Sequence, residues 1–403
     1  MQYSNAFIIT VFSCSMLGIL IAVLRNDIKL KDIENYENDT NNNDDNQKNK
    51  NSKNIINEKD KNKIIKDNDF IIEKDDNDYE DEKNNKNNYI KDNNIHIALN
   101  IDNKFTYPCI VFITSLLENR KPSTIYNIHI LTSENFNQDN SIKIKSLINK
   151  YGENYIKMEF INMKEAFSRA ITNEHISTAS YYRIRLPSLL PKIDRILYID
   201  TDVINFVDLT EMYNLELKDN IYLRGALDNV ENTSELRSFG IYTEKYMNAG
   251  ILLINLKSMR KYGIEEKIKD FVENHYLEHH DQTAINAVCY NNWEILSVKY
   301  ATFCFDIYEN MVRYNNRQNK RYRYSEEELK QAYYAPTLLH YVGWVKPWDK
   351  GNSIKYSEYW WYYAKKTDYY NDILKYYDFS KNIIEELLKK IPKDGGLLKR
   401  NNS

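Results

Sequence analysis

Residues 195–203 read RILYIDTDV, a short apolar run that ends on two aspartates separated by one residue. A continuous apolar run of this length, stopped by polar residues, marks a strand buried on both faces. Upstream, IHIALN (95–100), a helical pattern over PCIVFITSLLEN (108–119) and IYNIHILTS (125–133) follow one another. A polar helical stretch to about Lys150, YIKMEFINM (155–163) and a helical segment over Tyr181–Leu190 then lead back to the opening stretch. Downstream, IYLRGALD (221–228) and AGILLINL (249–256) extend the sheet. Strands and helices alternating at this spacing predict βαβ units and an α/β fold with a mostly parallel central sheet.

The chain has 403 residues, enough for one large or two ordinary domains, and a net charge of −3. That balance argues against a nucleic-acid binder built on a basic patch. Its 4 cysteines, at 14, 109, 289 and 304, form no close-spaced set, which argues against a disulfide framework or a structural zinc site. Ala6–Leu24 contains no charged residue. As a helix it would span roughly 28 Å, close to the hydrocarbon thickness of a bilayer. No basic residue precedes the run and no small-residue cleavage pattern follows it, so residues 1–25 read as a retained transmembrane anchor and not as a signal peptide. Residues 26–94 are mostly Asn, Asp, Lys and Glu, with no Gly, Pro, Ala, Val, Cys or Trp, and read as a disordered linker. The predicted organisation is therefore anchor, linker, an α/β catalytic domain over 95–350 and an aromatic-rich helical extension over 351–403.

Ligands of open parallel sheets bind beyond the carboxyl ends of strands, which is where Asp200 and Asp202 fall. In extended backbone, residues i and i+2 face the same way, so both carboxylates can approach one hard cation such as Mg²⁺ or Mn²⁺. The same pair could instead shape a turn or start a helix. The bare pattern recurs in the linker at Asp67–Asp69 and Asp76–Asp78, so strand context alone distinguishes this copy. A dehalogenase-type phosphohydrolase shares an apolar strand ending in DxD. It would need a later acidic pair in a GDxxxD-like setting, which the chain lacks.

HYVGWVKPW (340–348) follows another apolar run. A neutral His340 would be a third ligand and would favour Mn²⁺. Gly343 would admit a ligand close to the backbone, and Lys346 would bring a point charge suited to a diphosphate. An exposed histidine in a Trp-rich packing corner is the plainer alternative.

LYIDTDV, YMNAGILLINL, HHDQTAIN and LLHYVGWVKPW, in this order, resemble glycosyltransferase family 8, over about Ile95 to Trp348. The resemblance implies a GT-A (nucleotide-diphospho-sugar transferase) fold and Mn²⁺-dependent hexose transfer, with retention, from UDP-glucose or UDP-galactose to a glycan or glycolipid (lipopolysaccharide-like) acceptor. Carried over by motif, Asp200, Asp202 and His340 would hold the metal, while Gly343 and Lys346 would contact the diphosphate. Asp102 would hold the uridine, with Phe105 beside it and Lys104 where relatives often have Asn. Arg183 would lie near the donor sugar and phosphates, and His175 would line the cleft. Asn248, Asp281 and Gln282 would grip the sugar, and Asp228 would touch donor or acceptor. Asp102 and Asp228 could simply cap loops after strands, Arg183 could pair with a carboxylate on its helix, Asn248 could satisfy backbone at a bend, and Asp281 could be the N-cap of the helix running through QTAINAVC.

For catalysis the resemblance suggests front-side attack, with Gln282 setting a dipole near the anomeric carbon. A covalent intermediate on Asp281 is the alternative. An inert sugar-nucleotide-binding scaffold is a further alternative to an enzyme. The aromatic segment YSEYWWYYAKKTDYYNDILKYYD (356–378) would pack on the catalytic domain, or else face an acceptor or membrane. Anchored by Ala6–Leu24, the domain would lie on the cytoplasmic side of a bacterial inner membrane, or in the Golgi lumen of a eukaryote.

Overall fold

A computed structural model describes residues 93–164, 178–228, 233–304, 324–351, 354–393 and 395–400. The expected anchor over Ala6–Leu24, the linker up to residue 92 and His175 lie outside the described residues. Among the described residues, no helix is long and apolar enough to cross a membrane.

Among the described residues, ten strands form two sheets. The larger uses β1 (Asn94–Ile101), β2 (Ile125–Thr132), β3 (Ile156–Asn162), β4 (Arg195–Ile199), β6 (Leu223–Leu227), β7 (Met247–Asn255) and β8 (Trp293–Ile295). Their spatial order is β3-β2-β1-β4-β7-β6-β8. All neighbours are parallel except β7, which runs antiparallel to both β4 and β6. The expectation of a mostly parallel sheet therefore holds with one reversed central strand. That reversal matters for the site, because it brings the start of β7 beside the end of β4.

The smaller sheet is β5 (Val203–Asn205), β10 (Leu338–His340) and β9 (Thr302–Phe303), in the order β5-β10-β9. β5 follows the second aspartate directly and pairs antiparallel with β10, with Val203 opposite His340. The chain thus leaves one sheet at Ile199 and enters the other at Val203, and Asp200-Thr201-Asp202 bridges the gap.

Helix α1 (Thr106–Glu118) is buried at Thr106–Leu117, on every face. An apolar surface all round needs cover on both sides. The sheet covers one side. The other is covered by the aromatic helix Ser357–Lys366, whose Trp360, Trp361 and Tyr363 share one core with Ile97, Phe112 and Ile199. Asn119 at the end of α1 donates to the Tyr363 hydroxyl at 2.7 Å, and Phe206 packs edge-on against Tyr359. Of the two readings of this segment, packing on the catalytic domain is the one realised by its buried aromatics. The contact also fastens the HYVGWVKPW loop: the Trp361 indole donates to the Pro347 carbonyl at 3.0 Å, and the Tyr341 hydroxyl donates to the Tyr356 carbonyl at 2.6 Å. Trp361→Phe removes the indole hydrogen bond to the Pro347 carbonyl, so unfolding in denaturant should show a loss of about 1 kcal/mol.

Candidate active site

β4 delivers Asp200 and Asp202 to one end of the sheet, and β10 delivers His340. His340 Nε2 lies 3.3 Å from Asp202 Oδ1 and 3.9 Å from Asp200 Oδ2. One donor atom from each residue falls within 4.8 Å of the other two. The imidazole and Asp202 are buried, while Asp200 is partly open. Burial alone would raise the Asp202 carboxyl, but the Lys346 ammonium and His340 outweigh it and hold the group well below the usual carboxylate range. Lys346 Nζ donates to Asp202 Oδ2 and to the Tyr341 carbonyl. Two carboxylate oxygens and one imidazole nitrogen form the donor set expected for a hard or borderline divalent cation.

A second observation supports that fit. The carbonyl of Gly250, on β7 opposite the end of β4, accepts from the Asp200 N–H at 2.8 Å. A Cβ at Gly250 would stand 2.3 Å from His340 Cε1 and 2.7 Å from Asp200 Oδ2. The space beside the three ligands exists because residue 250 has no side chain. The residues present fit a divalent cation.

Arg183 underlies the cluster. Its guanidinium donates to the Ala249 and Ser180 carbonyls, approaches Asp200 Oδ1 at 3.3 Å and Asp281 Oδ2 at 3.0 Å, and stacks 4.0 Å over the Tyr198 ring. Asp281 is buried, which pushes its carboxyl up to about 6 against the pull of Arg183, with Asp200 adding to the rise. Neither alternative set out for these residues is realised as stated: the carboxylates that Arg183 pairs with lie outside its own helical segment Thr178–Arg185, and the cap of the helix His280–Cys289 is His279, with Asp281 inside the first turn.

A second group adjoins the first. Asp228 Oδ2 accepts from Asn248 Nδ2 at 3.2 Å and from Gln282 Nε2 at 3.0 Å. Gln282 Oε1 accepts from the Ala249 N–H at 2.9 Å, and Asn248 Oδ1 accepts from the Gly250 N–H at 3.0 Å. Ala249 and Gly250 thus tie this amide–carboxylate group to the ligand cluster.

Asp102 caps the short 3-10 turn Asn103–Phe105, accepting from the Lys104 and Phe105 N–H groups at 2.8 and 3.1 Å. Phe105 packs edge-on against Trp348, which brings the exit of β1 to the HYVGWVKPW loop. Gly343 in that loop has φ +87°, a left-handed conformation that favours glycine. Trp344 beside it is 79% exposed.

Sequence reasoning missed two site residues. The buried Tyr198 donates its hydroxyl to Asp200 Oδ1 at 2.6 Å, orienting that carboxylate. Its signal was a lone hydroxyl in an apolar strand, two positions before Asp200 and so on the same side. Gly250 was visible as a glycine inside a strand, a usual sign of close approach.

The sequence profile of glycosyl transferase family 8 matches residues 96–351. General stress protein A of Bacillus subtilis is 26% identical over 285 residues, 69% of this chain and 95% of that protein. The lipopolysaccharide 1,2-glucosyltransferase of Escherichia coli is 25% identical over 265 residues, 63% of this chain and 73% of that protein. The crystal structure of the galactosyltransferase LgtC with donor and acceptor sugar analogues superposes with a TM-score of 0.57 at 21% identity, over 68% of this chain and 96% of that one. That likeness establishes a shared GT-A-like α/β fold.

Proposed function

The chain belongs to glycosyl transferase family 8 and is a glycosyltransferase; from that premise we propose that it transfers glucose or galactose, with retention, from a UDP-sugar to a glycan or glycolipid acceptor, using Mn²⁺. The observation that carries this reading is the convergence of Asp200, Asp202 and His340 beside the cradle at Gly250. Asp200, Asp202 and His340 would hold the cation, which when bound supplies Lewis-acid stabilisation of a departing diphosphate. Lys346 adds a fixed positive charge at the outer oxygen of Asp202, where leaving-group charge accumulates. Arg183 keeps Asp200 and Asp281 in place and adds charge beneath the donor. The carboxamide of Gln282 is fixed at both ends and would present its dipole near the anomeric carbon.

The burial of Asp281 and its pairing with Arg183 favour front-side attack over a covalent intermediate, because a nucleophile must reach the sugar. In that route the departing phosphate oxygen takes the acceptor proton on the face from which it leaves, and no separate general base is required. The names of relatives such as the E. coli glucosyltransferase support a saccharide acceptor. Membrane anchorage through Ala6–Leu24 is part of the same proposal and would place the enzyme beside lipid-linked acceptors.

The test is a panel of UDP-sugars with and without Mn²⁺, reading thermal stabilisation and UDP release by the full chain. Metal-dependent turnover of UDP-glucose or UDP-galactose is expected. Stabilisation without turnover would favour the inert scaffold, and phosphate release from simple phosphomonoesters would favour the phosphohydrolase. Trp344 offers an exposed ring between Gly343 and Lys346, the positions proposed for the diphosphate, and in this reading it stacks on the acceptor saccharide. Trp344→Ala should raise the acceptor KM roughly tenfold, the value of about 1.4 kcal/mol of binding, while the donor KM stays nearly constant. Steady-state kinetics with each substrate varied in turn checks it.

A further inference from the structure

Both oxygens of the Asp202 carboxylate already meet a nitrogen. Oδ1 lies 3.3 Å from His340 Nε2, and Oδ2 accepts from the Lys346 ammonium. That ammonium also donates to the Tyr341 carbonyl at 2.7 Å. The fold fixes the contact. The Lys346 side chain is 16% exposed and that of Asp202 10%. The backbone around the lysine is tied at three points. The Tyr341 N–H donates to the Asp202 carbonyl at 2.9 Å, the Lys346 N–H donates to Asp349 Oδ2 at 2.8 Å, and the Pro347 carbonyl accepts from the Trp361 indole at 3.0 Å. A backbone held in this way leaves only the lysine side chain free to change partner.

Charge explains what such a change would respond to. Three carboxylates meet two cations here: Arg183 reaches Asp200 and Asp281, and Lys346 reaches Asp202. With all three carboxylates ionised, the group carries a single net negative charge. A divalent cation entering alone would meet an ammonium on the same carboxylate and leave buried positive charge in excess. A diphosphate brings negative charge of its own and offers the ammonium a second anion. A lysine that only touched the diphosphate would leave affinity for the bare cation unchanged on removal. A lysine that competes for Asp202 lowers that affinity, so its removal must raise it.

We propose that Lys346 sets the specificity of the cation site: it holds Asp202 Oδ2 until a diphosphate draws its ammonium away, so that the site selects a divalent cation accompanied by a diphosphate over the cation alone. The proposal rests on the cation and diphosphate positions given above and adds a second task to this lysine. Its charge stays in the site throughout, and only its partner changes. By linkage, the factor by which the diphosphate strengthens cation binding is also the factor by which the cation strengthens diphosphate binding.

The experiment is calorimetric titration of the full chain with Mn²⁺ in the absence of nucleotide, and separately with UDP in the absence of metal. Lys346→Gln keeps a hydrogen-bond donor for Asp202 but removes the charge, and should bind Mn²⁺ roughly tenfold more tightly and UDP roughly tenfold more weakly. Lys346→Met, a second neutral variant, should move both constants the same way. Lys346→Arg keeps the charge and should hold both within about threefold of wild type. Lys350 pairs with Asp378 just beyond the same loop, so Lys350→Gln should leave Mn²⁺ affinity within about twofold and separate local competition from a general loss of positive charge. Adding Asp202→Asn to Lys346→Gln should abolish the gain. Mn²⁺ binding that is unchanged or weaker in both neutral variants, or an equal gain in Lys350→Gln, would overturn the competition. A gain that survives Asp202→Asn would overturn the cation site itself and the role of Lys346 with it, a result distinguishable because it appears in a different variant.

Discussion

Asp202→Asn should lower kcat/KM for sugar transfer by about a thousandfold, the scale on which removal of a fixed electrostatic partner acts in a dry site. Asp202 has two tasks, and the substitution removes both. One oxygen faces His340 and the Asp200 carboxylate in the proposed metal cradle, and the other receives the Lys346 ammonium. Asparagine keeps the shape and one carbonyl oxygen, but supplies neither the charge for a divalent cation nor the counter-charge for lysine. The binding readout is independent of turnover. Wild type should gain thermal stability on adding Mn²⁺ and UDP, about 2.7 kcal/mol at a hundredfold excess over Kd, and the variant should gain much less. A variant that keeps more than a tenth of wild-type turnover would show that Asp202 is not a metal ligand.

Gly250→Ala is expected to cost activity about a hundredfold while leaving the protein folded. The added methyl would meet His340 Cε1 at 2.3 Å and Asp200 Oδ2 at 2.7 Å, closer than Cβ atoms are found. β7 is paired on both sides and cannot easily withdraw, so the imidazole and carboxylate must move instead. Overpacking of this kind costs typically about 1–3 kcal/mol of stability, which a domain of this size can absorb. The ligand geometry is less forgiving than the fold. Metal titration by thermal shift should show weakened Mn²⁺ binding, and a normal response with full turnover would remove Gly250 from the site.

How much of this was legible in the chain differs from residue to residue. The DxD pair and HYVGWVKPW were readable because each is a local pattern with its own chemistry, and their family resemblance paired them. Asp102, Arg183 and Asp281 were readable as positions, with two candidate tasks each. Of the alternatives set out for them, the structure displays the Asp102 cap, whereas Arg183 pairs with carboxylates off its own helix and the cap before Asp281 is His279. Tyr198 and Gly250 carried a faint signal, a hydroxyl and a glycine inside otherwise apolar strands.

By itself the sequence determined the alternation of strands and helices, since a period of two or of 3.6 is written locally in apolar spacing. It also determined which residue types stand at the carboxyl end of β4. Tertiary structure alone decided that His340 meets Asp202, because that contact depends on β5 pairing with β10 across a long stretch of intervening chain. It decided that β7 runs against its neighbours and so sets Gly250 beside Asp200. It decided, too, that the aromatic helix after residue 356 seals α1 and ties down the Lys346 loop. Periodicity constrains which face of an element is buried, whereas register and strand direction, set by the packing of the whole domain, choose which side chains meet there.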